Sequence, residues 1–213
     1  LFASVSDPNS IYANGGLLLY PKGFDIYNYA RVFENKMIWT GYRNTLFYVC
    51  AGGLTSLFLT ITLAYGLSRR TLPGKKLLLL LIVFTMYFHG GLIPTYLLVK
   101  RLHITDTIFA MILPGAISTY NFLITLTYFR NLPESLEEAA RIDGASDYVL
   151  LYKVLLPLSK PIIAVISLYY MVGIWNNYFQ ALIYLNKREL FPLQLVLREI
   201  LFQNDLSMIA KGE

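Results

Sequence analysis

Residues 131–157 hold the densest run of side chains able to do chemistry, and that chemistry is recognition. The segment reads Asn131-Leu-Pro-Glu-Ser-Leu-Glu-Glu-Ala-Ala-Arg-Ile-Asp-Gly144, then Ala-Ser-Asp-Tyr-Val-Leu-Leu-Tyr-Lys-Val-Leu-Leu-Pro157. Pro133 suits a helix's first turn, where a missing N–H costs nothing. Glu134, Glu137 and Glu138 favour the positive N-terminal end of that helix. Leu136, Ala139 and Ala140 fall on one face at i, i+3, i+4. Gly144 is a natural stop, because helices often end on a residue at positive φ. Ser146 can cap a second helix running to Pro157. The spacing predicts two short helices joined at a glycine, the first acidic and small-faced. Alanines let another backbone come close and glutamates offer charge pairs, so one reading is a helix that docks in a partner's groove. The other is an ordinary solvated loop, since charged helices at surfaces are common.

Bond-making chemistry has no comparable signal. A phosphate-cradling loop needs Gly-x-x-x-x-Gly-Lys-Ser/Thr. The nearest string, Gly74-Lys75-Lys76, lacks the first glycine and the hydroxyl. The single cysteine, Cys50, and the separated His89 and His103 make no zinc set. No serine-nucleophile motif is present. Three polar clusters do interrupt apolar stretches: His89-Gly90-Gly91 with Pro94; Asn121 with Ser118, Thr119 and Tyr120; and Trp175-Asn176-Asn177 with Gln180. Away from water such groups must find partners or line an aqueous path, because an unpaired polar group costs several kcal/mol in lipid.

The elements carrying these residues are membrane spans. Of 213 residues, 56% are hydrophobic and 15% charged, against about 25% charged in an ordinary soluble domain. Stretches of 25, 23, 23 and 26 residues carry no formal charge: 44–68, 77–99, 107–129 and 161–186. A helix crosses the hydrocarbon core in about 20 residues, and a charge at its middle costs about 2.5–3.5 kcal/mol or more. Four spans are therefore predicted, at Thr45–Leu67, Leu77–Val99, Thr107–Phe129 and Pro161–Leu185. The loop 69–76 has four basic residues and no acid, which places it in the cytoplasm. By alternation the 100–106 loop lies outside, the long loop 130–160 inside, and the tail 186–213 outside. The tail's Leu193, Val196, Leu197, Ile200 and Leu201 form an amphipathic patch too short and too charged to span.

Residues 1–44 read as an extracytoplasmic segment. It has turn signals at 6–10, 14–16 and 20–23 and an amphipathic helix carrying Ile26, Tyr29, Ala30 and Phe33. Residues 45–213 form the transmembrane domain. Gly52-Gly53 and Gly66 read as packing sites, Gly90, Gly91 and Pro94 as a kink, and His89 as a satisfied interhelical histidine. The net charge of +5 belongs to loop lysines and arginines and not to a nucleic-acid surface.

Glu138-Ala139-Ala140, Asp143-Gly144-Ala145 and Leu156-Pro157 resemble the EAA signature of permeases in binding-protein-dependent ABC importers. Leu156-Pro157-Leu158-Ser159-Lys160-Pro161, Trp175-Asn176-Asn177-Tyr178 and Phe191-Pro192-Leu193 resemble the oligosaccharide branch, which includes the maltose transporter's permeases. The likeness covers nearly the whole chain. It implies an all-α polytopic helical bundle of the type I importer kind, with about four spans present of six expected and the first and last outside this sequence. It also implies a cytoplasmic (inner) membrane location in a bacterium or archaeon, a sister permease, separate ATPase subunits that bind ATP and Mg, and an extracytoplasmic solute-binding protein. This chain itself would carry no cofactor and no catalytic residue.

By matching positions, Glu138, Ala139, Ala140, Asp143, Gly144 and Pro157 would couple to the ATPase. Gly144 would set the angle between the loop helices, and Pro157 would redirect the chain to the membrane. A sugar path needs hydroxyl partners and aromatic faces, which Trp175, Asn176, Asn177, Tyr178 and Asn121 could supply. The same groups could instead be interhelical glue. Three other functions stay open at this point: an importer for another solute, an ATP-independent channel or transporter, and an intramembrane enzyme. The second would want an ionisable residue within a span, and His89 alone qualifies. The third would want a catalytic pair at depth, and none is apparent.

Overall fold

The computed structural model describes residues 27–69 and 72–210. The turn signals before residue 27, Ile26, and the middle of the basic loop lie outside that range. The described residues are helical, with no strand among them. A short helix α1 (Tyr27–Glu34) precedes α2 (Lys36–Ser68), whose start is capped by the Asn35 side chain accepting from the Met37 N–H. Next come α3 (Lys75–Tyr87), α4 (Leu92–Arg101), α5 (Ile108–Ile112) and α6 (Thr119–Arg130). The long loop holds α7 (Glu134–Ile142) and α8 (Asp147–Leu158). Then follow α9 (Lys160–Asn176), α10 (Phe179–Tyr184) and α11 (Leu193–Ala210).

Only the first of the four expected spans is one unbroken helix. It begins earlier than expected, at Lys36, and takes in Arg43. The second divides into α3 and α4, bent by 115° around Phe88–Gly91. The third divides into α5 and α6 around Pro114-Gly115, and the fourth into α9 and α10 at Asn177-Tyr178. By length and composition α2 alone is a crossing helix among the described residues. Two bent pairs, α3 with α4 and α8 with α9, pass only when each pair is taken together. The reason is local. Gly91 sits at φ 85, a conformation that helices exclude. Pro114 has no N–H to donate and clashes with the preceding turn. Charge-free length reports burial in lipid or protein, and it does not report helix continuity.

The α2 helix is the centre of the bundle. It packs along α9 and α6, and also against α11 and α5. Near its N-terminal end Ile38 and Tyr48 join a cluster with Met111, Ala181, Leu185, Phe191, Leu193, Leu195 and Val196. Near its C-terminal end Ala64 and Leu67 pack with Phe122, Leu126 and Phe129. Gly52 and Gly53 are packing sites as expected, lying against Ile174 and Met171 of α9, whereas Gly66 has open space beside it. His89 is exposed at the α3–α4 break and is not a buried interhelical group.

The segment leading into α11 is tied to α2 by side chains one turn apart. The Asn44 carboxamide donates to the carbonyls of Glu189 (2.6 Å) and Phe191 (3.0 Å), and the Tyr48 hydroxyl to that of Leu190 (2.9 Å). Thr45 Oγ1 accepts from the Leu193 N–H at 2.9 Å. Gly41 completes this seat, because a Cβ there would lie 3.0 Å from Leu193 Cα and 3.2 Å from its nitrogen. Backbone cannot rotate out of the way as a side chain can. Gly41→Val should therefore destabilise the α2–α11 contact by about 1–3 kcal/mol. A fall in the thermal midpoint of the purified protein, with Gly66→Val as the tolerated control, checks this.

Candidate functional site

The two predicted loop helices are present, and their junction has the geometry expected of the glycine. Pro133 precedes α7, with Glu134 and Glu137 in its first turn. At the other end the Gly144 N–H donates to the Arg141 carbonyl (3.0 Å) and the Ala145 N–H to the Ala140 carbonyl (2.9 Å). Together these bonds form a Schellman closure. It needs a left-handed residue, and Gly144 sits at φ 78. Ser146 then caps α8, its hydroxyl accepting from the Val149 N–H.

α7 buries none of its residues. Glu138, Ala139 and Asp143 are exposed. Ala140 is half-buried, packed toward the Leu150–Leu151–Leu155 cluster of α8. The small face is thus shared: Ala139 points out, and Ala140 seats α7 on α8. Two large apolar side chains flank the glycine in the open, Ile142 at 86% exposure and Tyr148 at 78%. Sequence reasoning passed over both. The signal was available for Ile142, an apolar residue off the Leu136–Ala140 face of a short polar helix.

Pro157 lies in the last turn of α8, just before an 83° bend between α8 and α9. The bend falls at Ser159, between Pro157 and Pro161. Upstream, Leu150–Leu155 is wound as a π-helix, a wider and rarer winding than the α-helix.

The largest feature absent from the sequence reading is a ring of charged and aromatic groups behind α7. Arg69, at the end of α2, pairs with Glu137 and lies over the Tyr65 ring, 4.3 Å from its centroid. Glu137 also accepts from Arg141 at 3.0 Å, and Arg141 donates to Asp147 at 3.0 Å. The Tyr65 hydroxyl donates to the Asp147 carbonyl at 3.0 Å, which closes the ring. Burial pushes the Glu137 carboxyl up, but hydrogen bonds from Arg141 and Arg69 outweigh it and hold the group below the ordinary glutamate range. A carboxyl lowered in the fold stabilises it above the unfolded value. Its contribution is therefore complete at neutral pH and is lost only as pH falls through that lowered value. Arg69, Lys75, Arg130, Glu134, Glu137 and Glu138 line a cavity of about 550 Å³ beside the ring.

A second cavity, of about 740 Å³, lies among α2, α5, α6 and α9. Of the sequence-predicted path residues it brings together Asn121 and Asn177, and it adds Ser118, Tyr170 and Gln180. The Asn177 carboxamide donates to Gln180 Oε1 at 2.6 Å, and Gln180 Nε2 donates to the Ala110 carbonyl at 2.8 Å. The other three predicted residues do not line this cavity. Trp175 meets Tyr42 edge-on at 6.4 Å in the cluster near the start of α2. Asn176 turns back to the Val172 carbonyl at 3.0 Å. Tyr178 is exposed beneath the Arg198 guanidinium, 5.5 Å away. No group of three or more His, Cys, Asp or Glu among the described residues could hold a metal.

At the far end of α2, Asp106 accepts from the Asn186 backbone and side chain and from the Lys187 N–H. Its own N–H donates to the Tyr184 carbonyl at 3.0 Å. The Asn186 hydrogen bonds hold its carboxyl below the usual range, and they join the 102–107 loop to the segment after α10.

Comparison with known proteins places this arrangement. Residues 38–211 match the family described as binding-protein-dependent transport system inner membrane component. The chain is 43% identical to protein LplC of Bacillus subtilis, over 92% of this chain and 66% of that protein. It is also 43% identical to the polygalacturonan/rhamnogalacturonan transport system permease protein YtcP of the same organism, over 92% and 70%. Among solved structures it matches a bacterial ABC transporter involved in the import of the acidic polysaccharide alginate. That match has a TM-score of 0.89 and 37% identity, covering 93% of this chain and 70% of that one. The chain thus spans about two thirds of the length of these relatives. It belongs to the family of binding-protein-dependent transport system inner membrane components, the membrane-embedded permeases of ABC importers, and is a transport component and not an enzyme.

Proposed function

We propose that the chain is a permease subunit for oligosaccharide import, multi-pass in the cytoplasmic membrane of a bacterium or archaeon. It works with a sister permease, two ATPase subunits and an extracytoplasmic solute-binding protein. The observation that carries this reading is α7 itself: a helix with no buried residue, closed by Gly144, with Glu138, Ala139 and Asp143 open to a partner. Such a helix has little reason to be ordered for its own sake, since helices this short are marginal in water. Docking gives it one. Ala140, Gly144 and Pro157 set its seat, its exit and the turn toward α9.

The sugar assignment draws on relatives whose names carry polygalacturonan, rhamnogalacturonan, alginate and arabinooligosaccharides. The path we propose runs by Asn121 and Asn177, whose amides can exchange hydrogen bonds with sugar hydroxyls. Trp175, Asn176 and Tyr178 are proposed as contacts on the approach, where aromatic faces stack on pyranose rings.

The test is ATP-dependent uptake in proteoliposomes holding the complete transporter, over a panel of oligogalacturonides, alginate oligomers and arabinooligosaccharides. Glu138→Ala should lower uptake and stimulated ATP hydrolysis together, by about 5-fold for the loss of one charge-assisted contact. Asn177→Ala should lower uptake while ATP hydrolysis persists. Transport without any ATPase subunit, or normal transport by Glu138→Ala, would return the chain to the channel class.

A further inference from the structure

The ring behind α7 adjoins the exposed face proposed for docking: Arg69 and Glu137 are its more buried members, Arg141 and Asp147 are largely exposed, and Glu138 lines the same cavity. Tyr65 and Arg69 belong to the end of α2, Glu137 and Arg141 to α7, and Asp147 to the start of α8. The ring therefore gives α7 a direct attachment to α2, the longest helix among the described residues. The alternative route along the chain is indirect. It passes the Gly144 turn, the π-wound stretch Leu150–Leu155 and the 83° bend at Ser159 before it reaches α9. Each of these is a place where a helix yields.

The α2 helix is also fastened at its opposite end. There Asn44, Thr45 and Tyr48 hold the segment 189–193 through four hydrogen bonds of 2.6–3.0 Å. One rigid element thus joins the α7–α8 loop to the segment that leads into α11, and it packs on α6 and α9 along the way. Coupling between distant sites needs a physical element that both sites can bias, and α2 meets that requirement.

We infer that the Tyr65–Arg69–Glu137–Arg141–Asp147 ring transmits displacement of α7 to α2, which makes Arg69 and Glu137 positioning residues of the transport cycle. This rests on α7 being the helix that meets the ATPase. Arg69 suits the role because a guanidinium holds a carboxylate and stacks on an aromatic face at once.

Cys50, the single cysteine of this sequence, is exposed on α2 within the first expected span, and a nitroxide attached to it reports movement of that helix without knowledge of the sugar. The full-length permease, with any other cysteine replaced, is spin-labelled and assembled with its sister permease and ATPase subunits in proteoliposomes. The EPR spectrum of the Cys50 nitroxide is then compared with and without ATP–vanadate. In wild type the spectrum should change on trapping. In Arg69→Gln and Glu137→Gln trapping should persist while the spectral change shrinks by about 5-fold or more. The double variant should be no worse than either single one, the signature of a shared interaction. Arg69→Lys, which keeps the charge, should recover part of the response.

If a glutamine variant fails to assemble, Arg69→Lys and Glu137→Asp carry the test, and a graded loss is expected. A wild-type Cys50 indifferent to trapping, or variants that respond like wild type, would overturn the ring as the route. Failure of the ATPase subunits to co-assemble with wild type would instead overturn the coupling reading beneath it.

Discussion

Gly144→Val lowers substrate-stimulated ATP hydrolysis and uptake by the assembled transporter by about 10-fold, while Gly144→Asn costs much less. The glycine sits at φ 78, and no heavy atom lies within 4 Å of where a Cβ would stand. Space is therefore not the constraint, and backbone conformation is. An L-residue in the left-handed region costs about 1–2 kcal/mol, and a β-branched residue there is a genuine outlier, whereas asparagine is one of the few that tolerate it. The valine variant must either bear that strain or give up the bonds from Gly144 to Arg141 and from Ala145 to Ala140. Giving them up changes the angle at which α7 leaves α8, and with it the direction of Glu138 and Ala139. About 1.4 kcal/mol corresponds to tenfold in an equilibrium between docking-competent and incompetent loops. Expression and thermal midpoint should stay near wild type, since α7 has no buried residue to lose. Side-by-side ATPase and uptake assays of the two variants check the order. Equal loss in both would mean that side-chain bulk at the docking surface, and not φ, is what matters.

The loop was legible because its signals are local. Pro133, the first-turn glutamates, Gly144 and Ser146 each act within a few residues, and each stands where its chemistry requires. The all-helical class was legible for a similar reason, since long charge-free stretches leave few other structures. What the sequence concealed is of two kinds. The breaks at Phe88–Gly91, Leu113–Ser118 and Asn177-Tyr178 are hidden because hydropathy does not sense helix direction. Gly91 and Pro114 were the clues, and in lipid such residues can equally sit in kinked but continuous helices. The ring of Tyr65, Arg69, Glu137, Arg141 and Asp147 is hidden because its members lie up to 82 residues apart. Glu137 reads in sequence as one more glutamate suited to a helix start. Only the return of the loop beneath α2 shows that it has a second task.

The polar clusters show the same division. Asn121 and Asn177 were picked out as amides in apolar runs, and they do meet at one cavity. Trp175, two residues before Asn177 in the same expected span, faces Tyr42 instead. The break after Asn176 separates them, because a helix that ends there no longer carries its residues onto a single stripe.

Tyr170→Phe should destabilise the protein more than any other loss of a single oxygen atom in this bundle. Its hydroxyl is buried and stands between three elements. It lies 2.7 Å from Thr60 Oγ1 on α2 and accepts from the Ser118 N–H at 3.0 Å, while Tyr170 itself is on α9. Because the oxygen accepts from Ser118, its own proton is free to go to Thr60. Ser118 ends the non-helical stretch 113–118 and caps α6. Its backbone N–H therefore has no helical carbonyl to turn to. Thr60 has an escape, since a helical threonine can bond the carbonyl one turn back. The expected cost is thus that of one orphaned N–H, about 1–3 kcal/mol, with a smaller share from Thr60. For a protein of this size that lowers the thermal midpoint by about 2–4 °C per kcal/mol. Thr60→Val should cost less, and Tyr170→Phe with Thr60→Val should fall short of the sum, because the two remove one shared bond. The 113–118 stretch also forms part of the cavity wall through Gly115 and Ser118. Loosening it should raise uptake KM more than it lowers stimulated ATP hydrolysis. A midpoint for Tyr170→Phe within 1 °C of wild type, about half a kcal/mol or less, would mean that water from the cavity has taken the hydroxyl's place. The break in the third expected span would then be held by Pro114 and packing alone.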